Sequence, residues 1–318
     1  MREIGGYFGL ESLKGQPLYA DLIDFNCARS ALLWLVRERN YKGLCLPYYL
    51  CGCVRQFCGR FAVPVRFYHV GSDLLPETDP KLRPGEALYL VNYYGQRSEA
   101  ELRAWKERTA NLIVDNVQAY FTPPIPGIDT IYSCRKFFGV PDGAWLATEL
   151  PRKFPVPERD RAEDRMRHLI GRLEADASSY YGDFKRSDDS FEDTDLRSMS
   201  RTAQNLLRAI DYEGVKAARE RNFRTIEKAL KDRGGLPVHR PEGPYAYPFL
   251  LPDGTDGPGI RRALAAQKIY IPTLWPDLAE ESSDWEKRLA AQLLPLPCDQ
   301  RCSEEDLQFM LQQLEALL

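Results

Sequence analysis

The sequence predicts an α/β fold with a mainly parallel sheet covered by helices. In the first half, short apolar runs alternate with amphipathic segments of helical period, as in chains that build parallel sheets through helical crossovers. The helical segments begin at polar residues placed to cap them. The chain of 318 residues is 44% hydrophobic and 28% charged, an ordinary globular balance with enough apolar surface for one large or two modest domains.

Taken in order, "NCARSALLWLVRERN" reads as a helix capped by Asn26, with Ala31, Leu32, Leu35 and Val36 on its apolar side. "KGLCLPYY" reads as a short apolar run with a Pro break, "FAVPVRFYHV" as a strand, and "EALYLVNYYG" as a clearer one ending at Gly95. In "SEAELRAWKERTA", Ser98 and Glu101 form a capping box. "NLIVDNVQAY", "DTIYSCRKFF" and "GAWLAT" supply three more strands. The Pro-rich, mixed-charge stretch at 149–160 is a boundary, giving a large domain over 1–150 and a helical connection with a small α+β domain over 151–318. Beyond it, "RAEDRMRHLIGRLEADA" is an amphipathic helix and "GDFKRSDDSFEDTD" an acidic, mobile loop. "SMSRTAQNLLRAI" and "EGVKAARERNFRTIEKALKDRGG" are helices, the second with Val215, Phe223, Ile226 and Leu230 on one face and a stop at Gly234. "YAYPFLL" is a strand, "GIRRALAAQKIY" a helix, and Ser303 caps a last helix bearing Leu307, Leu311, Leu314 and Leu318.

Composition excludes some function classes. A formal net charge of −3 does not suit a surface built to neutralise phosphate backbones, so no nucleic-acid partner is expected. No apolar run approaches the ~20 residues of a membrane span. "MREIGGYFGLE" has no signal-peptide core, so a cytoplasmic protein is expected. The eight cysteines are expected to be reduced. "LCLPYYLCGCVRQFC" lacks zinc-ribbon spacing and a nearby histidine, so buried apolar thiols, and no metal, are the expectation. His69, His168 and His239 show no partner spacing.

Polar residues collect at strand ends, where open α/β sheets bind ligands. "LYLVN" ends in Asn92, "LIVD" in Asp115, and "TIYS" in Ser133, three residues before Lys136. The helix start at "NCARS" adds backbone N–H groups suited to a phosphate. Pyridoxal 5′-phosphate uses all these parts: an amine for its aldehyde, a carboxylate for its ring nitrogen, and a hydroxyl with a helix N-terminus for its phosphate.

At these residues the chain resembles the DegT/DnrJ/EryC1/StrS aminotransferases, a branch of the fold-type I pyridoxal-phosphate enzymes. "YLVNYYGQRSE" is similar to the family's strand ending in His-x-Tyr-Gly-Gln, and "LIVDNVQAY" to its Glu-Asp-x-Ala-Gln/His-Ala segment. "SCRKFFGVPDGAWL" is similar to its Ser…Lys…Gly-Asp-Gly-Gly segment, and "CARSAL" to its Ser-Gly-Thr-x-Ala-Leu. "LLPLPC" with the final helix resembles its Leu-Pro-Leu-His ending.

The resemblance implies a three-layer transferase-like large domain, a smaller C-terminal α+β domain, and a homodimer. It implies Lys136 as the Schiff-base lysine, Asp115 as the partner of the ring nitrogen, Gln118 near the ring hydroxyl, and Ser133 on the phosphate. Ala28 and Arg29 fall on the Gly-Thr whose amides hold phosphate, and the arginine puts a cation there. Tyr49 or Cys51 falls near the stacking aromatic, with Tyr49 favoured on chemistry, and Asn92 completes the set. The implied activity is amino transfer from an amino acid to a carbonyl acceptor, such as a nucleotide-linked keto-sugar. The family's Asn-Tyr-Arg segment is not legible before "RSMS", which motivates a competing reading as a binding or regulatory protein. Elimination on the same cofactor is a third. The glycines of "GGYFGLE" do not follow a strand and are no dinucleotide fingerprint. Trp275 lies where a substrate-facing loop or core packing would place it.

Overall fold

The computed structural model describes residues 4–151, 157–192 and 195–318. Its first half contains β1 (Ile23–Phe25), α1 (Ala28–Arg39), β2 (Gly43–Pro47), α2 (Gly52–Arg60), β3 (Val65–Tyr68), β4 (Glu86–Val91), α3 (Glu99–Arg108), β5 (Leu112–Asp115), β6 (Asp129–Ser133) and β7 (Ala144–Ala147). The strands form one seven-stranded sheet in the order β1-β7-β6-β5-β4-β2-β3. From β6 to β3 all neighbours run parallel. β7 is antiparallel to both β6 and β1. Every residue of β2, β4, β5 and β7 is buried, which is why these strands read as unbroken apolar runs rather than alternating ones. β2 lies between β3 and β4, so the chain reverses its direction of growth there and opens a crevice beyond the carboxyl ends of the central strands.

The last two strands of the large sheet form a hairpin, and its loop carries Lys136. Gly143 closes the loop at φ +128°, and a side chain there would press on Cys134 Sγ at 3.1 Å. The Gly143 N–H donates to the Asn26 carbonyl (2.6 Å), and the Cys134 N–H donates to the Gly143 carbonyl (3.0 Å).

The second half contains α4 (Arg167–Glu174), α5 (Tyr181–Asp189), α6 (Arg201–Leu207), α7 (Tyr212–Leu230), β8 (Tyr247–Leu250), α8 (Gly257–Ala266), α9 (Asp284–Gln292), β9 (Leu293–Leu296) and α10 (Glu304–Glu315). β8 and β9 pair antiparallel. Phe223, Ile226 and Leu230 of α7, Leu264 of α8 and Leu307 of α10 close a separate core around them. The capping boxes expected at Ser98 and the cap at Ser303 are present.

Some expectations change. Cys27, not Asn26, occupies the N-cap of α1, and it makes no side-chain cap bond. Asn26 is held elsewhere: its amide donates to Asp160 Oδ2 (2.8 Å) and its backbone N–H to the Arg197 carbonyl (3.1 Å). The acidic stretch expected as a loop forms α5 over most of its length. Basic groups from outside it neutralise its charge, Arg135 on Asp188 (3.1 Å) and Arg167 on Asp183 (3.2 Å). The fully buried ring of Phe191, covered by the guanidinium groups of Arg135 and Arg165, pins the segment down. α7 ends at Leu230 with Lys231 as its cap, short of Gly234. Part of the boundary stretch, 152–156, lies outside the described residues.

Candidate active site

Lys136 stands at the head of the β6–β7 hairpin because its neighbours are fixed below it. Phe137 and Phe138 turn into an aromatic cluster with Tyr120, Tyr132 and Trp145. Both of their N–H groups donate to the Cys134 carbonyl at 3.0 Å. The Phe137 carbonyl accepts from Gln300 Nε2 (2.9 Å) and from Arg219 Nη2 (3.3 Å), and the Arg219 guanidinium lies 4.5 Å over the Phe137 ring. The second half of the chain therefore clamps the turn, while the Lys136 side chain keeps access to solvent. Its Nζ lies 5.5 Å from the centre of the Tyr245 ring. The walls are dense enough that burial is the first influence on its proton and pulls its pKa down. Tyr245, Cys51, Asp115 and Cys53 push it up, and the net shift is upward.

Asp115 closes β5 and is 3% exposed. Tyr89 Oη donates to its Oδ2 (2.6 Å) and the Val117 N–H to its Oδ1 (2.8 Å). Burial raises its pKa, while those two bonds and the charge of Lys136 oppose the rise. A carboxylate can accept about four hydrogen bonds, so two bonds leave capacity for a third partner. Asp115 and Lys136 thus come from adjacent strands and act on each other's charge.

Gln118 is completely buried three residues on. Its Oε1 accepts from the Tyr94 N–H at 3.0 Å, at a residue in the left-handed region (φ 56°). Its Nε2 has no hydrogen-bond partner among the described residues. An unmet buried donor is costly and marks a place where a ligand acceptor would be welcome.

The phosphate-type elements gather on the other side. The first turn of α1 begins with Ala28 and Arg29 and carries no acidic residue or side-chain cap. Its free N–H groups form an anion-favouring end. Arg29 is half-buried, and among the described residues neither it nor Lys136 makes an ion pair with a carboxylate. Burial lowers the Arg29 pKa, but Cys53, Cys27 and Cys51 raise it further. Ser133, half-buried at the end of β6, has no hydroxyl partner among the described residues.

Two expected residues sit differently. Tyr49 is 1% exposed and packs on Tyr93 and Trp275, with ring centres 5.4 and 4.6 Å away. Tyr49 and Trp275 pack into the core, while Cys51 and Cys53 of the same stretch are half-buried. Asn92 uses both ends of its amide within the protein, donating to Asn116 Oδ1 (3.0 Å) and accepting from the Arg97 N–H (2.9 Å), so it braces the strand end. The reading of the cysteines as buried apolar thiols holds for Cys45 and Cys58, but Cys51 and Cys53 are only half-buried.

Sequence reasoning missed Tyr89, Tyr245 and the Cys51–Cys53 pair. Tyr89 left a signal, because a tyrosine inside a fully buried strand needs a partner for its hydroxyl. Tyr245, just before β8, left none.

Comparison with solved structures matches nearly the whole chain to one fold. The sugar aminotransferase CalS13 from Micromonospora echinospora superposes with a TM-score of 0.64 at 16% identity, covering 93% of this chain and 87% of its own. The putative sugar aminotransferase Spr1654 from Streptococcus pneumoniae, in its PLP form, gives 0.66 at 12% identity, covering 95% and 89%. DesV from S. venezuelae, solved with a ketimine intermediate, gives 0.62 at 16%, covering 92% and 84%. The chain has the three-layer fold of these aminotransferases. No family model and no curated protein matches the sequence.

Proposed function

We propose that this chain is a pyridoxal 5′-phosphate-dependent aminotransferase of the DegT/DnrJ/EryC1/StrS type. It moves an amino group from an amino acid to a carbonyl acceptor, for which a keto-sugar is the first choice. The observation that carries this reading is the placing of Asp115 and Lys136 at neighbouring strand ends, with neither in an ion pair among the described residues, beside the fully buried Gln118 whose Nε2 is unmet. The residues present fit the cofactor, and the unmet buried Nε2 of Gln118 is the most specific sign of fit.

Each residue then has a task. Lys136 binds the cofactor through its amine and, once released, moves a proton from the donor's α-carbon. Asp115 meets the ring nitrogen, and the bonds from Tyr89 and Val117 orient its carboxyl and oppose the rise in pKa that burial causes. Gln118 donates to the ring hydroxyl. Ser133, the α1 amides and Arg29 take the phosphate, the guanidinium strengthening a site that amides alone would form. When bound, the cofactor supplies a protonated ring that accepts the electron pair left on the α-carbon.

The names of the solved neighbours support sugar acceptors, and their fold supports the assignment of roles. A homodimer is part of the proposal, supported by the exposed apolar side chains of Ile4, Tyr7, Phe8 and Leu173. No helix among the described residues is long and apolar enough to cross a membrane. The test is a donor screen with cofactor-supplemented protein, measuring the 2-keto acid released. Release from at least one amino acid, abolished in Lys136→Ala, is expected. Cofactor binding with no keto acid from any donor would remove amino transfer and favour a binding protein.

A further inference from the structure

We propose that Cys51 and Cys53 form a reversible disulfide, with glutathione-type disulfides as the oxidant. The two sulfurs lie 2.8 Å apart across a single glycine. A disulfide needs about 2.0 Å, so the two sulfurs must close by somewhat under 1 Å to bond. Both are half-buried and reachable, whereas Cys45 and Cys58 on either side are 1% and 2% exposed. The carboxylate of Asp277 and the guanidinium of Arg55 flank Gly52 between the two cysteines.

The surroundings favour a reactive thiolate. Cys51 is the N-cap of α2 and has no side-chain cap bond, so it faces unmet N–H groups. The Cys53 thiol hydrogen-bonds its sulfur, and the charges of Lys136 and Arg29 add to this, so its pKa is held below the ordinary thiol value while that of Cys53 is raised. The charged or titratable groups that act on the pair or lie against it are Arg29 from the start of α1, Lys136 from the hairpin, Tyr89 from β4, and Asp277 and Arg55 against Gly52.

The exchange runs in two balanced steps. The Cys51 thiolate attacks one sulfur of the oxidant, breaking its S–S bond and releasing one glutathione thiolate. Cys53 then loses its proton to water and attacks Cys51 Sγ, forming the internal disulfide and releasing the second glutathione. Two thiols are oxidised and one external disulfide is reduced to two thiols.

The experiment needs no cofactor, so its outcome is separate from that of the proposed function. The full chain is equilibrated in glutathione buffers of rising oxidised fraction, quenched, denatured and alkylated with N-ethylmaleimide. Its tryptic peptide Gly43–Arg55 carries Cys45, Cys51 and Cys53. In the oxidised buffers this peptide should lose two labels and two hydrogens, retain the label on Cys45, and revert with dithiothreitol. Cys53→Ser should instead trap one glutathione on Cys51. Three labels at every buffer ratio, or a disulfide to Cys45, would overturn the pair.

Discussion

The two ends of the central strands treat charge in opposite ways. At the amino ends, each buried carboxylate has its own guanidinium. Glu86, opening β4, takes Arg66 at 2.7 Å, and Asp129, opening β6, takes Arg39 at 2.8 Å. At the carboxyl ends, Asp115, Lys136 and Arg29 gather without one direct ion pair between them or with any carboxylate or guanidinium among the described residues. Asp115 accepts only from a phenol and an amide, and Lys136 faces a ring and a thiol. Structural charges are neutralised on the spot, because an uncompensated buried charge costs several kcal/mol. Charges left open to a ligand are held within reach of one another but unpaired. That difference, more than the presence of charge, separates a brace from a site.

Substitutions can break or sharpen this contrast. Lys136→Ala should lower amino transfer by about 10³-fold or more while shifting the urea midpoint little, since the side chain is accessible. Asp129→Ala should do the reverse. Losing the bonds from Arg39 and Thr148 should cost about 1–3 kcal/mol in urea unfolding, with turnover per folded molecule unchanged. Arg29→Ala should weaken pyridoxal phosphate binding roughly tenfold, and leave pyridoxal itself unaffected, as measured by equilibrium dialysis.

The smallest effect is one of sign. The folded-state pKa of Asp115 is raised above its ordinary 3.8, so the native state holds that proton more tightly than the unfolded chain. Its favourable contribution is complete below the unfolded pKa and is lost as pH rises through the folded value. Asp115→Asn should therefore melt above the parent at pH 7, and the gap should close near pH 4. Equal or lower melting at pH 7 would mean that Asp115 is a brace after all.

Much of this was legible in the residues. The buried strands announced themselves as apolar runs, and the strand-end positions of Asp115, Ser133 and Lys136 followed from where those runs stopped. Ser98 and Ser303 declared their helices through local capping chemistry. What failed depended on contacts far along the chain. Asn26 looked like a cap, but Asp160 and Arg197 hold it elsewhere. The acidic stretch looked unstructured because its neutralising partners, Arg135 and Arg167, lie outside it. Tyr49 and Cys51 are two residues apart, and only the packing of Trp275 on Tyr49 decides which one is taken into the core. Tyr245 reaches Lys136 from more than a hundred residues away, a distance no local pattern spans.

One measurement bears on the central claim most directly. The protein is supplemented with pyridoxal phosphate, reduced with borohydride and digested with trypsin. A phosphopyridoxyl group on Lys136 blocks cleavage after it, so the account predicts a single labelled peptide, Lys136–Arg152. Label scattered over other lysines, or none at all with Lys136 still cleaved, would contradict it.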